Sequence, residues 1–161
     1  MSYLKPNRLG DVIAALQVMG SNERAEAPIE SWARRFDDQP DDAAVGRWRA
    51  VFREHPEFFK IYDYDGQEKA ALRWRYARRF FDHKKNKELT PEEAAALSDG
   101  ERRLLTGRTL TDAQLQGLIE TAIELYAKAL TARQDKRWWF QIIVPAIFSL
   151  LGVVVGALAA K

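Results

Sequence analysis

Phe58-Phe59-Lys60-Ile61-Tyr62-Asp63-Tyr64-Asp65-Gly66-Gln67-Glu68-Lys69-Ala70-Ala71-Leu72-Arg73-Trp74-Arg75-Tyr76 is where the period of the chain changes. Phe58 to Tyr62 is β-branched and aromatic, Asp65-Gly66 is a two-residue hairpin signal, and Ala71 to Tyr76 alternates apolar with basic. This favours a two-stranded ribbon with Leu72, Trp74 and Tyr76 on one face and Arg73 and Arg75 on the other. A second reading stays open: Glu68 to Phe81 is rich in Glu, Lys, Ala, Leu and Arg, all helix formers. Asp63-Tyr64-Asp65-Gly66 also resembles part of a calcium loop, but the downstream glutamate is missing and a turn explains it.

Upstream the period is helical. Leu9, Val12, Ile13, Leu16 and Met19 share a face from Arg8 to Met19, and Gly20-Ser21-Asn22 ends that helix. Ile29, Trp32, Ala33 and Phe36 predict a second helix over Ala25 to Asp38, with Pro28 in its first turn. Asp37-Asp38-Gln39-Pro40-Asp41-Asp42 is a break. It lacks the alternation and glycine of a calcium loop, so Asp41 or Asp42 reads as the cap of the next helix. Val45, Trp48, Val51 and Phe52 predict that helix over Ala43 to Glu54, stopped by Pro56.

Three short helices and then a ribbon resemble the winged helix-turn-helix over roughly residues 8–80, through element order, the Asp65-Gly66 turn and the alternating second strand. The stretch His55-Pro56-Glu57-Phe58-Phe59, with a Trp-Trp-flanked C-terminal span, is also similar to small bacterial membrane-anchored proteins. That second resemblance implies no chemistry. The winged-helix resemblance implies a third helix that enters the DNA major groove and a wing that touches the backbone or minor groove.

Downstream, Phe80 to Lys87 is a basic connector, and Thr90-Pro91-Glu92-Glu93 has the cap, proline and capping-box glutamate of a helix start. That helix is expected to end near Leu97. Ser98 to Glu101 offers a second box, Gly107 a break, and Thr111-Asp112-Ala113-Gln114 a third start. Leu115, Leu118, Ala122, Leu125, Ala129 and Ala132 then recur at three and four, with Ile119, Tyr126 and Leu130 beside them. Residues 112–137 predict a stalk of about 39 Å at 1.5 Å per residue. Its apolar face has two possible uses, pairing with another copy or packing back onto the domain.

The last run, Trp138 to Ala160, has no charge. About 20 apolar helical residues cross a hydrocarbon layer, so this run is expected to be a single transmembrane helix rather than a buried core helix. Lys136 and Arg137 before it, with Trp138 and Trp139 at headgroup depth, are the expected interface anchors. Lys128, Arg133, Lys136 and Arg137 outnumber Lys161, which places the N-terminal domain in the cytoplasm. Gly152-Val153-Val154-Val155-Gly156, extended by Ser149 and Ala160, is a candidate self-association face. Pro145 stands in the same run, where it can bend a helix.

Charge is uneven. Residues 45–87 hold 12 basic and 6 acidic side chains, net +6, against −3 before and −1 after, which sum to the chain's +2. A candidate surface for nucleic acid or an acidic partner therefore comprises Arg47, Arg49, Arg53, Lys60, Arg73, Arg75, Arg78 and Arg79. The competing readings are a solvated face and contact with anionic lipid.

The chain has no cysteine, two histidines without a partner at a known spacing, no phosphate loop, no nucleophile elbow and no HExxH. No enzyme activity and no cofactor are expected. The architecture expected is mainly α: a winged-helix-like domain (1–88), a helical connector and stalk (89–137) and a transmembrane helix (138–160). The function expected is a membrane-tethered binding or assembly module that positions a protein partner, self-associating in the lipid bilayer. The alternative is a membrane-anchored DNA-binding regulator.

Overall fold

The computed structural model describes residues 2–76, 80–82, 84–102 and 105–134. These are mainly helical, with a small antiparallel sheet. Residues 138–160, with Ser149, Gly152, Gly156 and Ala160, and the flanking Lys136, Arg137, Trp138 and Trp139 lie outside the described residues. Among the described residues, no helix is long and apolar enough to cross a membrane.

A short 3-10 turn, Ser2–Leu4, leads into α1, Arg8–Ser21, which buries Val12, Ala15, Leu16 and Met19. The stretch from Ala25 to Asp38, expected as one helix, holds two elements. Glu26–Pro28 is a strand, β1, and α2 begins only at Ile29 and runs to Phe36. The cause is nonlocal. β1 pairs antiparallel with β3, Glu26 opposite Ala71 and Pro28 opposite Lys69, and a terminal proline is tolerated on such an edge because it need not donate. α3, Asp42–Glu54, starts as its cap predicts: the Asp41 carboxylate accepts from the Ala44 amide at 2.7 Å.

β2, Phe59–Tyr64, and β3, Gln67–Leu72, form the hairpin. Asp65 and Gly66 both have positive φ, 54° and 72°, the backbone of a two-residue primed turn that matches strand twist. The second strand is shorter than its alternation suggested. It ends at Leu72, and Arg73–Tyr76 form one helical turn, α4. Neither reading holds throughout the described residues of this stretch: 67–72 is strand and 73–76 is one helical turn. The expected common face of Leu72, Trp74 and Tyr76 is thereby broken. Leu72 is buried whereas Trp74 is 48% exposed. The sheet order is β1-β3-β2.

An aromatic layer joins α2, α3 and the sheet. Phe36 stacks on Trp48 at 3.9 Å between centroids, and Phe52 meets Phe59 edge-on at 5.1 Å. Trp32 donates from Nε1 to the Ala70 carbonyl, 2.9 Å away in the buried sheet.

Beyond α4, β4 (Phe81–Asp82) pairs with β5 (Lys87–Glu88), and α5 (Pro91–Ala95) opens with the capping box of Thr90 and Glu93. α6, Asp99–Arg102, follows. The last described helix, α7, covers residues 112–134. It folds back: Ala122 is part of the buried core, and Leu115, Leu118, Leu125 and Ala129 pack against that core. Gly20 makes this docking close. A Cβ there would lie 3.3 Å from the Leu110 and Leu115 methyls, and the Gly20 carbonyl accepts from the Leu110 amide at 2.9 Å. Of the two uses open to the stalk's apolar face, packing onto the domain is the one adopted.

Candidate binding surface

The α3 arginines face outward, but each one is paired. Arg47 reaches both carboxylate oxygens of Asp37, at 3.2 and 3.3 Å, and covers the Trp48 ring. Arg49 donates from Nε to Glu68 at 2.8 Å and from Nη2 to Glu30 at 3.2 Å. Arg53 donates to the other oxygen of Glu68 at 2.5 Å. Three guanidiniums therefore meet three carboxylates, +3 − 3 = 0, across α2, α3 and β3. Burial pulls the Glu68 carboxyl upward, but the hydrogen bonds from Arg53 and Arg49 outweigh it and hold the group below the usual carboxylate range.

The remaining basic residues are dispersed. Lys60 lies 3.8 Å from the Tyr76 ring and 5.7 Å from that of Tyr62, a cation over aromatic faces. Arg73 donates to the Pro56 carbonyl, which fastens α4 to the turn before β2. Arg78 and Arg79 lie outside the described residues.

Arg75 corrects the expectation most sharply. It is 1% exposed and belongs to no surface. Its guanidinium donates to six backbone carbonyls: Met19 at 2.6 Å, Asn22 at 2.5 Å, Glu23 at 3.2 Å, Arg24 at 3.3 Å, Gly107 at 2.7 Å and Arg108 at 3.0 Å. These carbonyls come from the end of α1, from the loop after it and from the segment leading into α7. The helical turn at 73–76 redirects the side chain that a continued strand would have sent to solvent. Burial lowers its pKa to about 10, so it remains a cation at neutral pH. Gly107 is required at close range, since a Cβ there would collide with the Arg75 carbonyl.

A second polar cluster was legible only in part. His55 has no sequence neighbour of a known catalytic spacing, but it is fully buried and its Nδ1 lies 3.0 Å from Glu57 Oε1. The Tyr3 hydroxyl donates to the same oxygen, and its ring meets the imidazole edge-on at 4.3 Å. Arg8, 7% exposed, lies 3.4 Å from Glu54, which also receives Lys5. Residues 2–8 are thus strapped to the end of α3. Burial, with the Glu57 carboxylate beside it, pushes the Tyr3 hydroxyl well above its ordinary value. Burial raises Glu57 and Glu54 as well, but donors outweigh it and keep both below the usual carboxylate range: Tyr3 and His55 for Glu57, Lys5 and Arg8 for Glu54. Among the described residues, the hydroxyl beside the imidazole is the Tyr3 phenol, which Glu57 already engages.

Compared with models of known protein families, with curated proteins and with solved structures, the chain has no match.

Proposed function

We propose that the protein is a membrane-tethered binding and assembly module that holds a protein partner at the cytoplasmic face. The carrying observation is the uncharged run 138–160, flanked by Lys136-Arg137-Trp138-Trp139 and long enough for one spanning helix. The winged-helix-like reading of residues 8–80 draws support from the order α1-β1-α2-α3-β2-β3 and the sheet order β1-β3-β2. The α3 face offers alternating charges of both signs in a fixed pattern, which suits complementary pairing with another protein better than attraction to a polyanion.

The test has two arms. The full chain in inside-out membrane vesicles should lose its N-terminal domain to protease, and a protected domain would reverse the orientation. In detergent, the same chain should show little affinity for random duplex DNA at low salt. The second reading, a DNA-binding regulator, is favoured by the element order. It requires binding that falls steeply as salt rises and that disappears in Arg47→Glu with Arg53→Glu.

A further inference from the structure

α7 has two apolar aspects, and only one is used inside the domain. Leu115, Leu118, Ala122, Leu125 and Ala129 pack on the core. Ile123, Ala127 and Leu130 follow at spacings of four and three on the adjoining, exposed side. Ile123 is 47% exposed and Leu130 37%, two of the four exposed large hydrophobic side chains among the described residues. Ile119 and Tyr126, half-buried at the core's edge, border the stripe.

We infer that this stripe pairs with the same stripe of a second copy of the chain. The inference rests on the membrane reading above, because the stripe alone is too small. Two half-exposed side chains fall far short of the roughly 800 Å² per partner that a specific interface buries. What changes the balance is the 27 residues beyond Gln134, 23 of them the uncharged run. Two copies held in one bilayer stand parallel, and confinement raises their effective concentration. In a parallel two-fold pair each stripe residue meets its own counterpart, so an apolar stripe is self-complementary. On a count of about 100° per residue from Leu115, Leu130, Ile123 and Ala127 fall at about 60°, 80° and 120°. The core-facing residues fall near the opposite sign, about −80° to 0°. The exposed stripe therefore lies on a side of α7 distinct from the one the core covers.

The chain has no cysteine, so single cysteines report proximity cleanly. The experiment is oxidative crosslinking of full-length Ala127→Cys and Thr121→Cys in vesicles of phosphatidylcholine and phosphatidylglycerol, with flotation read on the same samples. Thr121 lies at the far edge of the exposed arc, about 120° from Ala127 at 100° per residue. The expected result is a disulfide-linked dimer from Ala127→Cys, monomer from Thr121→Cys, and loss of the dimer when Ile123→Glu and Leu130→Glu are added. Both of those side chains are exposed, so an unchanged thermal melt should accompany the loss. Equal crosslinking at the two positions, or none at Ala127→Cys in vesicles that carry the protein, overturns the stripe. If the protein does not float, the membrane reading fails, and the crosslink in solution still decides the stripe: a dimer at Ala127→Cys keeps it and a monomer sinks it.

Discussion

Arg75 carries a charge into the interior without a carboxylate partner and satisfies it with six carbonyls from three segments. Removing the guanidinium would take that donor from all six, of which the Glu23 and Gly107 carbonyls also accept from the Thr106 hydroxyl, at 3.2 and 3.3 Å. Arg75→Met is therefore expected to cost about 3–5 kcal/mol in chemical denaturation, in the range for breaking a buried charged network. Arg75→Lys should recover little of this, since an ammonium has three donors and no planar fork. Gly107→Ala should destabilise by about 3 kcal/mol through overpacking, because the methyl meets backbone rather than a mobile side-chain end. A wild-type midpoint in either Arg75→Met or Gly107→Ala would contradict the clamp. This arginine was illegible in the sequence. In an alternating Arg-Trp-Arg-Tyr stretch, a guanidinium is expected in solvent, and only carbonyls more than 30 residues away in either direction make a buried site for it. The strap at Tyr3 makes the acid limb of stability specific. Folding lowers the pKa of Glu54 and Glu57 from 4.5, so the unfolded chain binds more protons in the window below that value. Their contribution is full above pH 4.5 and is lost as pH falls through the folded pKa values. Glu57→Gln should flatten the acid limb of a pH titration of the unfolding midpoint, and an unchanged limb would remove Glu57 from the account.

Elements whose ends are set by local chemistry were legible. Asp41, Thr90 with Glu93, and Thr111 with Gln114 each make the cap that their spacing predicts. Asp65-Gly66 supplies the two positive φ values the hairpin needs. β1 was not legible, because three residues around a proline show no period and become a strand only by pairing with a segment more than 40 residues away. The same limit applies to α7. Its apolar periodicity announced a helix, but a periodic face is equally suited to its own domain and to another chain. The arginines of α3 were also read in isolation, because Glu30, Asp37 and Glu68 come from other elements. Glu68 is the pivot of that network. Glu68→Gln leaves Arg49 without its strongest contact and Arg53 without its carboxylate, and should raise nonspecific affinity for duplex DNA at low salt above that of the wild type. A titration by fluorescence anisotropy at two salt concentrations reads this directly. No gain in affinity would mean that the arginines were already available to phosphate, which favours the regulator.

At the scale of the molecule, α7 is docked on the core from Leu115 to Ala129. Gly152→Ile together with Gly156→Ile should shift the full chain in detergent from oligomer toward monomer by mass, and an unchanged mass would refute self-association through residues 138–160. The central claim is the tether itself, and its most direct measurement is flotation of the purified full chain with phosphatidylcholine–phosphatidylglycerol vesicles, followed by alkaline carbonate. The account predicts that the wild type floats and resists extraction. It also predicts that Val153→Arg with Val154→Arg, at a cost of about 2.5–3.5 kcal/mol per charge near mid-bilayer, is released. A wild-type chain left in the aqueous fraction, or a double-arginine variant retained as firmly as the wild type, would contradict it.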